Sequence, residues 1–200
     1  MTTAGNPVAA RPPGRPRSAQ VHQAILDAAV ALFIQDGFEG MSVEAVAARA
    51  GAGKAAIYRR WPAKEALVID AIAQLIAEAP SPDSGSVRDD LVALARELHG
   101  LMSSSLTGGV FPRMAAEVAR RSPLGRLYGQ RVIGPRRAAI EAALRRGSDR
   151  GELPQDTDLE LAIDLLVGGL LLRKLTGRLP GSDATLPGRV VDMLLAGLAR

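Results

Sequence analysis

The stretch Ser42-Val-Glu-Ala-Val-Ala-Ala-Arg-Ala-Gly51-Ala-Gly-Lys-Ala-Ala-Ile-Tyr58-Arg-Arg-Trp61-Pro-Ala-Lys64-Glu-Ala-Leu67 decides the fold. Ser42 is suited to cap a short helix. Val43, Val46, Ala47 and Ala50 recur at helical spacing and form its inner face. Gly51-Ala52-Gly53 is a tight turn, where Gly51 can adopt a positive φ at little cost. A second short helix runs from Lys54 to about Arg60, and Pro62 stops it. Two short helices joined by a Gly-containing turn have the layout of a helix-turn-helix.

Placing the second of these helices on a wheel sorts its residues. Ile57 and Trp61 fall together and point inward. Ala55 and Arg59 fall nearly opposite and point outward. Lys54 and Tyr58 occupy one flank, Ala56 and Arg60 the other. A small residue beside an arginine suits a helix lying in a major groove. There Arg59 can donate two hydrogen bonds to guanine O6 and N7, and Ala55 can meet a thymine methyl. Tyr58, Lys54 and Lys64 would reach phosphates, which position a helix without specifying sequence. Lys64 also opens the next helix, whose free N–H groups favour an anion. The alternative is a solvated basic face on a helical bundle.

Outward from this motif the chain remains helical. Val21, Ile25, Ala28, Ala29, Leu32 and Phe33 predict a helix from Ser18 to about Gly37. Another follows from Lys64 to about Ala79, with Leu67, Val68, Ala71, Ile72, Leu75 and Ile76 on its buried side. Pro80-Ser81-Pro82-Asp83-Ser84-Gly85 breaks the pattern and is read as a domain boundary. Beyond it, helices are expected at about 86–106, 111–121, 124–149, 157–178 and 187–199, a set suited to a bundle. Residues 1–17 read as an arm, with Pro7, Pro12, Pro13, Gly14 and Pro16 opposing regular structure.

Composition agrees with an all-α chain. It has 200 residues, 47% apolar but only 3% aromatic, so Ala, Leu, Val and Ile must build the core. There is no cysteine, which excludes disulfide scaffolds, thiolate metal sites and cysteine nucleophiles. His22 and His99 lie far apart and neither has metal-ligand spacing, so no metal or cofactor is expected. An enzyme would need an acid–base pair, and His99 has only Glu97 and Glu117 as potential partners. The net charge of +4 and pI near 10.1 are compatible with a polyanionic partner but do not locate it. The longest apolar run, Leu165 to Leu172, is too short to span a membrane. The N-terminus lacks the order of a signal peptide, so a cytoplasmic location is expected. Gly51-Ala-Gly53-Lys54 imitates the end of a phosphate loop, but Ala48 and Ala55 stand where the motif needs Gly and a hydroxyl.

The quoted motif resembles the DNA-binding domain of TetR-family transcriptional regulators. Ser42, Gly51, Ile57, Tyr58, Trp61 and Lys64 carry the resemblance, which covers about residues 18–75. It implies an N-terminal three-helix DNA-binding domain within 18–79, and a C-terminal helical bundle within 80–200 for effector binding and dimerisation. It implies Ser42, Tyr58 and Lys64 on phosphates, and Lys54, Ala55, Arg59 and Arg60 at or near bases. Gly53 stands where the family often has Ser, and Ala56 where it often has Thr. Gly53 can still cap the helix, more weakly than Ser. The implied protein is a dimeric regulator, a repressor released from a palindromic operator by a small, largely apolar effector. An architectural DNA binder without an effector is the alternative. Gly14-Arg15-Pro16-Arg17 resembles the core of an AT-hook, so Arg15 and Arg17 are candidates for a narrow minor groove. The alternative is a tail with scattered arginines.

Two stripes on the 157–178 helix bear on assembly. Leu159, Ile163, Leu166 and Leu170 form one; Leu161, Leu165, Gly168 and Leu172 form the other. A surface helix needs a single apolar stripe. Two point either to a dimer interface or to a core helix buried on all sides. Val190, Val191, Met193, Leu194, Leu195 and Leu198 give the last helix an equally broad face. The inducer cavity implied by the family has Leu98, Met102, Phe111, Met114, Val118, Tyr128, Leu166 and Leu170 as candidate lining, with plain core as the alternative. Glu117, His99 and Arg173 are candidates for orienting a ligand, or else charges at helix ends.

Overall fold

The structure is a computed structural model that describes residues 16–76, 80–179 and 183–198. Among these residues there are helices and no strands. Helix α1 spans Pro16–Gly40, α2 Val43–Ala50, α3 Lys54–Tyr58 and α4 Lys64–Leu75. Helix α5 spans Val87–Ser103, α6 Val110–Ala119, α7 Pro123–Tyr128 and α8 Gly134–Asp149. Helices α9 (Leu159–Leu175) and α10 (Leu186–Leu198) follow. No helix among the described residues is long and apolar enough to cross a membrane.

Local chemistry explains the boundaries. Pro16 opens α1, since a proline at the first helical position loses no intrahelical bond. The helix thus starts two residues before the expected Ser18, and Arg17 belongs to its first turn. Near its end Gly37 adopts φ 76°, which interrupts the helical path. The Ser42 hydroxyl caps α2 by accepting from the Ala45 N–H at 3.1 Å. Gly51 sits at φ 60°, ψ 31°, the left-handed conformation that the turn required. Helix α3 stops at Tyr58, two residues before the expected end; Arg60 and Trp61 both donate to the Ile57 carbonyl.

The expected continuous helix over 124–149 is interrupted. Residues Gly129–Ile133 form a π-helical turn between α7 and α8, and the Gly134 N–H reaches back to the Gly129 carbonyl. Pro135 supplies the reason. It has no N–H for the Arg131 carbonyl, and its ring pushes that carbonyl aside, so the ladder widens by one residue.

Two apolar cores form. In the first, α1 packs on α2 and α4 around Ile25, Phe33, Leu67 and Ile72. This core continues into Val110, Met114, Leu124, Tyr128 and Val132 of α6, α7 and the π turn. In the second, α5 packs against α8, α9 and α10 through Leu91, Leu98, Leu144, Ile163 and Val191. The segment before α5 is anchored by Asp90, which is fully buried. Its carboxylate accepts from the Ser84 N–H and hydroxyl, both at 2.8 Å, and from Arg146 at 3.3 Å. Burial by itself would raise the Asp90 pKa, but these donors outweigh it and hold the carboxyl below the usual range.

Two stability predictions follow from this local chemistry. Gly51→Ala should cost about 1–2 kcal/mol, because the left-handed backbone penalises any Cβ even though nothing lies within contact distance there; urea unfolding measures it. Asp90→Ala should cost about 3 kcal/mol by leaving Arg146 partly unpaired. That lowers the melting temperature by roughly 6–12 °C, measured calorimetrically. Because the Asp90 pKa is depressed, its contribution is present above the ordinary carboxylate range and fades as pH falls through it.

Candidate nucleic-acid interface

Helix α3 faces as the wheel requires. Ile57 and Trp61 are buried, and Lys54, Ala55, Tyr58, Arg59 and Arg60 are exposed. The Arg59 side chain makes no hydrogen bond or ion pair among the described residues. Its guanidinium is therefore uncommitted on an outward surface. Ser42 is exposed at the start of α2. Its oxygen accepts the capping bond, so its own proton remains to donate. Gly53 opens α3 with no side-chain cap, and its carbonyl accepts from the Ala56 N–H at 2.9 Å. Ala56 is half-buried.

Lys54 and Lys64 are both engaged. Lys54 is paired with Glu44 of α2, and its ammonium lies 5.8 Å from the centre of the Tyr58 ring. Bonded to each other, the Glu44 carboxyl is held below its ordinary pKa and the Lys54 ammonium above its own. Both are largely exposed, and surface pairs contribute little, so the ammonium is only weakly held. Lys64 is held more firmly. It is half-buried, donates to the Phe38 carbonyl at 2.7 Å and the Met41 carbonyl at 3.1 Å, and sits 4.2 Å from the centre of the Phe38 ring. It ties the end of α1 to the start of α4 and keeps one further N–H. Arg15 lies outside the described residues, as does the Arg17 side chain.

Trp61 fixes the orientation of α3. Its indole stacks on His22 of α1, ring centres 5.2 Å apart, and its N–H donates to Asp70 Oδ2 of α4 at 2.8 Å. The other oxygen of Asp70 accepts from Arg131 of the π turn at 2.5 Å. Two further arginines reach across from the second half. Arg113 of α6 donates to the Ile34 carbonyl at 2.8 Å and the Gln35 carbonyl at 2.9 Å near the end of α1. Arg136 of α8 donates to the Ile76 carbonyl at the end of α4 at 3.0 Å. Sequence reasoning missed His22, Asp70, Arg113, Arg131 and Arg136. No spacing pairs them, because each contact joins distant segments.

The same α6–α8 segments wall a cavity of about 310 Å³. Leu98, Met102, Phe111, Val118 and Tyr128 line it, as expected. Met114, Glu117, Leu166 and Leu170 do not. Met114 belongs to the first core, and Leu166 and Leu170 to the second. Glu117 is buried and paired with Arg120. The cause is helical phase at 100° per residue: Ala115 and Ala119 present α6 to the cavity, while Val167 and Leu171 present α9. His99 and Arg173 are not in the wall either. His99 is buried with Nε2 3.4 Å from the Ser103 hydroxyl, and Arg173 is exposed. Among the described residues no group of three or more His, Asp or Glu is placed to hold a metal ion.

Comparison with known proteins agrees with this geometry. Residues 25–71 match the family model of bacterial regulatory proteins of the tetR family, and residues 81–194 match the tetracyclin repressor-like C-terminal domain. The uncharacterized HTH-type transcriptional regulator YdeS of Bacillus subtilis is 34% identical over 163 residues, covering 81% of this chain and 82% of that protein. The DNA-binding transcriptional repressor TetR of Mycobacteroides abscessus is 32% identical over 189 residues, covering 94% and 96%. Among solved structures, the transcriptional regulator FadR from Bacillus subtilis in complex with stearoyl-CoA superposes with a TM-score of 0.72 over 88% of this chain and 98% of that one. At 19% identity that likeness concerns the fold. An all-helical chain with an outward-facing recognition helix, matched along both halves, belongs to the TetR family of helix-turn-helix DNA-binding transcriptional regulators.

Proposed function

We propose that this protein is a cytoplasmic repressor that binds a palindromic operator as a homodimer and is released by a small, largely apolar effector in the cavity. The observation that carries the DNA-reading part is the outward α3 face, where Arg59 is uncommitted beside Ala55. Arg59 reads a guanine edge, Ala55 admits close approach, and Arg60 lies beside them. Ser42, Tyr58, Lys54 and the remaining Lys64 N–H reach phosphates. Arg15 of the arm and Arg17 in the first turn of α1 add a minor-groove contact. The named repressor of M. abscessus, alike over nearly its whole length, supports the sign of regulation.

Dimerisation supplies the second recognition helix. On α9, Ile163, Leu166 and Leu170 are buried and Leu159 half-buried, whereas Leu161, Leu165, Gly168 and Leu172 are exposed. Met193 of α10 is 77% exposed. An uncovered leucine face of this kind is unusual on a monomer. A second copy covers it, and the two-fold then spaces two α3 helices about 34–36 Å apart for two half-sites.

The effector acts through the shared wall. The π turn supplies Val132 and Ile133 to the cavity and Arg131 to Asp70. Arg136 faces the cavity and holds the end of α4. A ligand that binds preferentially where these segments have moved draws α4, and with it α3, out of register with DNA. An architectural binder would need no such cavity.

Binding to duplexes from the region flanking its own coding sequence tests this. Wild-type protein should prefer one inverted repeat over its scrambled form, with affinity falling steeply as salt rises. Arg59→Ala should lose about 1–3 kcal/mol on the repeat and little on the scrambled duplex. Equal affinity of the wild type for both would remove sequence reading. Leu165→Glu with Leu172→Glu should give a monomer by sedimentation and abolish operator binding; a monomeric wild type would refute the assembly.

A further inference from the structure

The cavity wall specifies the chemistry of its occupant more closely than its apolar lining suggests. Tyr128 is 5% exposed and lines the cavity, yet its hydroxyl makes no hydrogen bond among the described residues. Buried polar groups are almost always paired, and an unpaired one in a cavity wall marks a place for a ligand or a water. Burial pushes the phenol pKa up to about 12, against the opposing charge of Arg136. The group is therefore a neutral O–H donor over the physiological range.

The cations in the wall point the same way. Arg136 Nη2 lies 3.0 Å from Glu97 Oε1 and donates to the Ile76 carbonyl. Arg137 holds Asp164 at 2.6 Å and also pairs with Glu160. Both guanidinium groups are already compensated by carboxylates of the chain, although the buried Arg136 Nε–H finds no acceptor among the described residues. An anionic ligand would have to displace one of these partners and then face its charge. The rest of the wall is apolar, with Leu94, Leu98, Met102, Phe111, Val132 and Ile140 among its residues. A cavity of about 310 Å³ stands at the small end of ligand sites.

We propose that the cavity takes a small, neutral, largely apolar compound bearing one hydrogen-bond-accepting carbonyl oxygen, and that the Tyr128 hydroxyl donates to that oxygen. This rests on the effector reading above and narrows it. It also separates this chain from a regulator whose ligand is an acyl-CoA, since each arginine of the wall already has a carboxylate partner that a phosphate or carboxylate would have to face.

Two sets of isosteres test it by calorimetry on the full chain. The aromatic set is 2-acetylnaphthalene, 2-naphthoate and 2-isopropylnaphthalene. The aliphatic set is 2-nonanone, octanoate and 2-methylnonane. Within at least one set the ketone should bind tenfold or more tighter than its carboxylate. Tyr128→Phe should weaken that ketone about tenfold and leave the hydrocarbon unchanged, with the melting temperature of the free protein as the check on packing. A carboxylate that binds as well as its ketone, or a ketone indifferent to Tyr128→Phe, overturns the carbonyl assignment while leaving the cavity a ligand site. Failure of all six compounds to bind would fall on the effector reading itself.

Discussion

The burial of Trp61 is the constraint on which the interface depends. Helix α3 is only five residues long and has little intrinsic stability. What orients it is the indole at its end, stacked on His22 and bonded to Asp70, together with Ile57 one turn earlier. With these two side chains inside, helical geometry leaves Ala55 and Arg59 no direction but outward. The outward surface of α3 is thus a consequence of core packing on the opposite face.

The second constraint is that the two halves are not mechanically separate. Val110, Met114 and Leu124 extend the first core into α6 and α7. Arg113, Arg131 and Arg136 each cross to α1 or α4, and two of the three end on backbone carbonyls at helix C-terminal turns, where a cation is favoured. These arginines stand on the segments that wall the cavity. The π turn is the tightest such junction, since one widened turn forced by Pro135 carries Val132 and Ile133 to the cavity and Arg131 to the partner of Trp61.

Much of this was legible from residues alone. The Gly51 turn, the inward Ile57 and Trp61, the outward Arg59 and the two stripes of the 157–178 helix all follow from local periodicity, and the structure places each of them accordingly. The π turn was also within reach, since Pro135 inside a helical pattern is a warning that the ladder breaks. Cavity lining was harder. A one-residue error in helical phase separates Leu166 from Val167 and Met114 from Ala115, and a helix apolar on several sides does not reveal which side meets empty space.

By itself, then, the sequence determined an all-helical chain, a helix-turn-helix and the face that its second helix turns outward, because these depend on contacts between residues a few positions apart. Tertiary structure alone decided the partners of the charged groups. Whether Lys64 meets carbonyls, whether Arg136 meets Glu97, and whether the Tyr128 hydroxyl meets anything depends on which distant helices arrive beside it. Long-range packing sets those neighbours, and no local pattern encodes them.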